Sequence, residues 1–337
     1  MNHRTKNLML SIGLLGGVGC LMVWGVLTML RDVRETVTKP AEQNPYQYDM
    51  DALRKTDEAP QAAWREVGAI PLPLDHPKDL ALDASGTLYV CGGNEILVVK
   101  NGEEAKRIEL DEPVRCIDVD KDGKLYAAFS RRVVQLNQQG ELEAEWGDLG
   151  ELAEITAIAA GPALVYVADY GNRRVWKFDK TGQLLEAIDG VNPNGEEQGG
   201  FIIPSPYFDL TLDVNGDGVW IVNPGRLRVE HYTPDGERTG HWGKSGWEAE
   251  EFCGCCNPTH IVQLPDGSFV TSEKGIERVK HYSKDGAFIG YVAPPESFDS
   301  GVTGLALDAG AQGRVYILDP SWKQARIFEE GLAPYID

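Results

Sequence analysis

The chain has 337 residues, 42% of them hydrophobic and 25% charged, with 38 glycines and a formal net charge of −20. Residues 1–63 hold as many basic as acidic side chains, so the whole acidic excess falls on residues 64–337. Such a body repels phosphate backbones and anionic lipid surfaces, which excludes a nucleic-acid partner.

The first element in chain order is an uncharged apolar run at residues 8–30, long enough to cross a bilayer as a helix. Arg4 and Lys6 precede it, and a short basic segment ahead of an apolar run is how an export signal begins. The expected layout is a single-pass membrane protein, N-terminus inside, with its body on the extracytoplasmic side. Cys20, after Gly17-Val18-Gly19, offers a lipoprotein alternative, but the box lacks its leucine and more apolar residues come after it. Residues 31–63 read as a polar tether with Pro40, Pro45 and Pro60, too poor in apolar residues to build a core. The domains expected are thus 1–30 (N-terminus and transmembrane helix), 31–63 (tether) and 64–337 (body).

The body repeats itself. A short strand pattern recurs as Gly86-Thr-Leu-Tyr89-Val, Gly123-Lys-Leu-Tyr126, Val165-Tyr166-Val, Gly218-Val-Trp220-Ile, Gly267-Ser-Phe269-Val and Gly313-Arg-Val-Tyr316-Ile. Three units share a longer register. Asp169, Asn223 and Glu273 each stand five residues before an arginine (Arg174, Arg228, Arg278). An aromatic comes after each arginine (Phe178, Tyr232, Tyr282), then a glycine (Gly182, Gly236, Gly286). Each unit is long enough for a four-stranded antiparallel sheet, and no such sheet buries both faces alone. The fold class is therefore all-β, a six-bladed β-propeller. Residues 64–70 form a strand, while the last unit stops soon after Arg326-Ile327-Phe328, one strand short. The first strand is expected to complete the last blade, removing two open sheet edges at once.

The pattern resembles the NHL repeats, a six-bladed propeller family whose units read roughly Tyr-Val, Asp-x-x-Asn-x-Arg-Val, Phe-Asp-x-x-Gly. The third unit, Asp169-Tyr-Gly-Asn172-Arg-Arg174-Val-Trp-Lys-Phe178-Asp179-Lys-Thr-Gly182, carries the likeness best, and the resemblance spans about 64–330. Units 1 and 2 depart with shortened second hairpins (Gly92-Gly93-Asn94; Ser130-Arg131-Arg132). Unit 6 has Gln324 where the arginine stands elsewhere. The resemblance implies a fold; the family holds scaffolds and enzymes alike.

Aligning the units places Leu80, Ile117, Leu210, Ile261 and Leu305 at one core position of the inner strands. Asp79, Cys116, Asp209, His260 and Gly304 come just before them, with Ala157 in unit 3. That level lies near the mouth of a propeller's channel, so Asp79, Asp209 and His260 are candidate metal ligands. The alternative is that the acids cap turns and the histidine satisfies a carbonyl.

The sharper chemistry is Phe252-Cys253-Gly254-Cys255-Cys256-Asn257-Pro258-Thr259-His260. Soft thiolates select zinc, copper(I) or iron–sulfur clusters. A four-ligand site would use Cys253, Cys255 and Cys256, with Cys116 as the fourth ligand or His260 in reserve. Oxidation to a disulfide is the competing reading outside the cytoplasm, and both stay open. Two acidic turns, Asp118 to Gly123 and Asp213 to Gly218, resemble the start of a calcium loop. Phe129 and Pro224 stand where that loop needs glutamate, so calcium is not expected. Long links at 189–205 and 243–257 mark the expected partner face.

Three functions fit these features. The first is a membrane-tethered propeller docking, as an accessory subunit, into a larger and possibly redox membrane assembly through its cysteine face. The second is a divalent-metal lyase or hydrolase of the six-bladed type. The third is a plain ligand-binding scaffold with a disulfide loop.

Overall fold

The computed structural model describes Trp24 and residues 63–191, 199–214, 216 and 218–331. The chain divides into two compact units, Met1–Asp49 and Met50–Asp337, and every described strand belongs to the second. The helix expected at 8–30 lies, apart from Trp24, outside the described residues. Among the described residues no helix is long and apolar enough to cross a membrane.

The body is a ring of six antiparallel sheets. Strand β1 (Trp64–Pro71) precedes the first blade, β2 (Pro77–Leu82), β3 (Leu88–Gly92), β4 (Glu95–Lys100) and β5 (Glu103–Glu109). The second blade is β6 (Cys116–Val119), β7 (Leu125–Ala128), β8 (Val133–Leu136) and β9 (Leu142–Trp146). The third has three full strands, β10 (Ile155–Ala160), β11 (Leu164–Asp169) and β12 (Arg174–Asp179). The fourth is β13 (Leu210–Leu212), β14 (Val219–Asn223), β15 (Arg228–Tyr232) and β16 (Arg238–Trp242). The fifth is β17 (His260–Gln263), β18 (Phe269–Glu273), β19 (Arg278–Tyr282) and β20 (Phe288–Ala293). The sixth has β21 (Leu307–Ala309), β22 (Val315–Asp319) and β23 (Gln324–Glu330). In blade 3 the outer position is held only by the bridges Val175–Ile188 and Phe178–Leu184.

Second strands such as β3, β7 and β18 are buried along their whole length, because neighbouring blades cover both faces. β3 and β7 read as near-continuous apolar runs, whereas β18 turns polar after Val270. Outer strands such as β1 and β9 keep more exposed residues along one side. Each pair of adjacent blades shares one apolar cluster, so the core is a set of slabs between blades. The turn glycines serve this packing. Gly182 and Gly286 have φ of +85° and +77°, and a Cβ on either would overlap the indole of Trp146 or Trp242 from the preceding blade.

Strand β1 pairs antiparallel with β23 from Trp64–Glu330 to Pro71–Gln324 and is the outer strand of blade 6. Arg326 fastens it, meeting Glu66 through Nε–Oε1 at 3.1 Å and Nη2–Oε2 at 2.6 Å. Trp64 Nε1 donates to His281 Nδ1 of blade 5 at 3.2 Å, tying the strand to a second blade.

The repeated acid and arginine lie on paired strands. Asp169 faces Arg174, Asn223 faces Arg228, and Glu273 faces Arg278. The acidic or amide residue is buried in each case and also meets the side chain seven places on. Trp176 Nε1 donates to Asp169 at 2.9 Å, Asn223 Nδ2 donates to Glu230 at 3.1 Å, and Lys280 pairs with Glu273. In blade 6 Gln324 faces Asp319, and Arg326 supplies the charge instead at 3.4 Å. The motif is a buried polar brace at one end of blades 3 to 6.

Alignment by hydrogen-bonded register corrects two positions. Leu307, paired with Ile317, takes the inner-strand core place of blade 6, where Leu305 was expected; Ala306 replaces Gly304 before it. In blade 5 Val270 stands in the aromatic column and Phe269 is one place earlier, opposite Gln263 as Leu88 is opposite Leu82 in blade 1.

Two outcomes test this architecture. A chain starting at residue 64 should keep the melting midpoint of the intact body, whereas one starting at residue 72 should lose cooperative melting and aggregate through the bared edge of β23. Arg278→Ala leaves Glu273 buried with one cation fewer and should cost about 3–5 kcal/mol in chemical denaturation.

Candidate functional site

Every first strand starts at the same end of the ring. Antiparallel meandering then places all links between blades, and all turns between second and third strands, at that end. The hairpins joining first to second strands lie at the other.

Along the axis runs a channel of about 480 Å³, lined among others by Asp79, Asp118, Asp209, His260 and Asp308. The inner strands are edge strands facing this channel, so their outer N–H groups need acceptors. Asp79 supplies one. Its Oδ1 accepts from Leu80 N at 2.9 Å and its Oδ2 from Ile117 N of the next blade at 3.0 Å. Asp209 does the same for Leu210 N (2.8 Å) and Ile261 N of blade 5 (2.9 Å). Two residues deeper, Asp118 accepts from Val119 N and from Ala160 N of blade 3, at 2.8 and 2.6 Å. Asp308 accepts from Ala309 N and from Leu82 N of blade 1, at 2.7 and 2.6 Å. Thr156 Oγ1 donates to Phe208 O across the boundary between blades 3 and 4.

Burial is the dominant influence on Asp79, Asp118 and Asp308 and raises them. Asp79 stands well above the usual carboxylate range, pushed by burial and by the charges of Asp209 and Asp118 against its backbone donors. Asp118 and Asp308 are pushed up to about 7, mainly by burial. The inner-strand alignment pointed to Asp79 and Asp209 and missed Asp118 and Asp308. Their signal was an acid flanked by Ile117 and Val119, or by Leu307 and Ala309, inside an apolar strand.

At the mouth a second pocket, of about 290 Å³, is walled by Lys78, Arg115, Glu154, Tyr207 and His260 with neighbouring residues. His260 Nδ1 lies 3.3 Å from Asp209 Oδ2, the Tyr207 ring meets the imidazole edge-on at 6.1 Å, and Nε2 is buried without a partner.

The cysteine loop leads into β17 beside this mouth. Asn257 clamps it, donating from Nδ2 to Cys253 O (2.8 Å) and Lys274 O (3.0 Å) and accepting from Lys274 N (3.0 Å). The thiols separate into two environments. Cys253 is buried, with Sγ 3.6 Å from Glu273 Oε2; burial and the Glu273 charge push it up to about 11, so it is a protonated donor. Cys255 is exposed, and its Sγ lies 3.5 Å from that of the buried Cys256. Burial acts to raise Cys256, but bonds from Ser205 and Lys274 outweigh it and hold this thiol below its ordinary value. Lys274 Nζ also donates to Ser205 Oγ at 3.0 Å and sits 4.4 Å above the Tyr207 ring, which joins the thiol pair to the mouth pocket.

Cys116 lies elsewhere. It is fully buried between blades against Tyr126, Ala128 and Val133, and burial pushes its thiol well up. The five described cysteines are all free thiols. Among the described residues no three His, Cys, Asp or Glu side chains converge to hold a metal ion. At the far end, Asp120 closes its turn by accepting from Asp122 N and Lys124 N and pairs with Lys180 at 2.7 Å.

No family model and no curated protein sequence matches the chain. Among solved structures it is similar to selenomethionine-substituted virginiamycin B lyase from Staphylococcus aureus, at 15% identity over 75% of this chain and 81% of that one, TM-score 0.51. A streptogramin B lyase structure shares 12% identity over 79% of this chain and 97% of its own, TM-score 0.52. Likeness at these identities is one of fold, the six-bladed propeller.

The channel acids set a pH dependence. Folded Asp118 and Asp308 titrate near 7, whereas an unfolded aspartate titrates near 3.9. Between those values the folded state holds more protons, so their contribution is full below about pH 4 and is lost as pH rises through 7. The melting midpoint should fall between pH 5 and pH 8, and Asp118→Asn should flatten that slope while lowering the midpoint at pH 5.

Proposed function

We propose that this chain is a membrane-tethered, extracytoplasmic propeller of the NHL type that docks as an accessory subunit in a larger membrane assembly, redox in character. The observation that carries the reading is how the mouth end is furnished. Leu152, Ile202, Trp247 and Trp322 are large apolar residues left exposed on links and turns of that end, alongside the exposed Cys255. An end of a strongly acidic protein that presents two partly exposed tryptophans, two exposed aliphatic side chains and an exposed thiol has the makings of a contact face. The channel acids, by contrast, are engaged by backbone N–H groups of adjacent blades. The charge-free run at 8–30 supports the tether. The exposed Cys255, in contact with Cys256, supports a soft-metal role at the contact.

One observation favours a divalent-metal lyase reading instead: His260, braced by Asp209, borders both channel and mouth pocket with Nε2 unbonded. It is the one histidine among these inner-strand residues.

Co-purification of the tagged full chain from its native membrane tests the proposal. Partner subunits should accompany the wild type and be lost from the Ile202→Glu/Trp247→Glu variant, with melting unchanged. A protein that purifies alone in both forms, yet consumes a streptogramin B when a divalent metal is added, would replace docking by the lyase reading.

A further inference from the structure

We infer that Cys255 and Cys256, without Cys253 or Cys116, form a two-thiol site that captures one monovalent soft cation of the copper(I) class at the rim. This deepens the docking proposal and rests on its reading of the cysteine loop as part of the working face.

Four observations converge. The two sulfurs already face each other at 3.5 Å. The loop holding them is fixed from behind by Asn257, whose amide spans Cys253 O and both the N–H and C=O of Lys274. The third loop thiol is committed to Glu273, and Cys116 is sealed inside another blade boundary. Lys274 stands next to Cys256 with its ammonium anchored on Ser205 and Tyr207.

Charge and donor type select the ligand. Two thiolates are soft donors, and softness favours copper(I) over hard cations. A complex of two thiolates with a monovalent cation carries one net negative charge, which the Lys274 ammonium balances. Zinc asks for four ligands in tetrahedral array, and this site offers two from the chain. The proton balance is explicit. The pair starts as two cysteine side chains in contact through their sulfurs. Cation binding forms two metal–sulfur bonds, breaks the S–H bonds of the pair and sends the released protons to solvent. No oxidant or reductant takes part. Cys255 is on the exposed side, so the cation reaches the pair from solvent.

The test uses the full chain purified in detergent under argon, with copper(I) presented as its bicinchoninate complex and uptake followed by loss of that complex's colour. Wild type should withdraw one copper(I) per chain, and Cys253→Ser and Cys116→Ala should do the same. Cys255→Ser and Cys256→Ser should each lose the uptake while melting like the wild type. Lys274→Met should bind more weakly, because the charge of the complex is then unbalanced. Absence of uptake by the wild type would overturn the inference, and so would loss of uptake in Cys253→Ser or preferential uptake of zinc. Co-purification separates the two claims: partners retained by a Cys255→Ser chain that has lost copper leave docking intact, and copper taken up by the Ile202→Glu/Trp247→Glu chain that has lost its partners leaves this site intact.

Discussion

The constraint on which the ring depends is that each inner strand is an edge. Its outward N–H groups face a narrow channel, where an unpaired donor costs roughly 1–3 kcal/mol. The chain answers with side chains from the preceding blade. Asp79, Asp118, Asp209 and Asp308 each bind one N–H of their own strand and one of the next. Thr211 repeats the pattern at the second level, accepting from Gln263 N. These bonds cross the boundaries that the apolar slabs fill, so blade spacing is set by hydrogen bonds at the axis and by packing farther out. The arrangement has a cost, visible in acids held near neutral pH by burial.

The number of blades was legible because the turn chemistry is local. A glycine, an aromatic and an arginine at fixed spacing report a hairpin wherever they occur. The outer strand contributed by Trp64–Pro71 is foreshadowed by a last unit that ends early. The purpose of the repeated acid and arginine was less legible. In blade 3 the residue seven places after the acid is a tryptophan, in blade 4 a glutamate, in blade 5 a lysine and in blade 6 an arginine. These share a place in the brace and no chemistry, so a pattern search by residue type passes over them. The register of blade 6 slipped by two for a similar reason: Leu305 and Leu307 are both apolar, and pairing alone distinguishes them.

The candidate site was legible in composition and not in arrangement. Three cysteines in four residues announce chemistry, but their neighbours come from distant links: Glu273 from the end of β18, Ser205 from the link between blades 3 and 4, Lys274 from the turn after β18. Those neighbours divide the loop into one protonated donor and one facing pair. Cys116 sits at the expected height on its strand, yet the level it occupies is wide enough to hold it in a different boundary. Equivalence of position in a repeat gives equivalent depth; it does not give proximity.

The strand that closes the ring also fixes when the fold can be finished. β1 is the first strand of the body to be synthesised, and its partner β23 is the last. At a ribosomal pace of about 5–20 residues per second, the interval between them is on the order of ten seconds to a minute. Throughout that time Trp64–Pro71 waits as an unpaired edge, while blades 1 to 5 can assemble in turn. The balance of the strand suits the wait: Arg65 and Glu66 put opposite charges on it, and most of its residues are exposed even in the finished fold. A nascent edge of that composition resists pairing with strangers until its own last strand arrives.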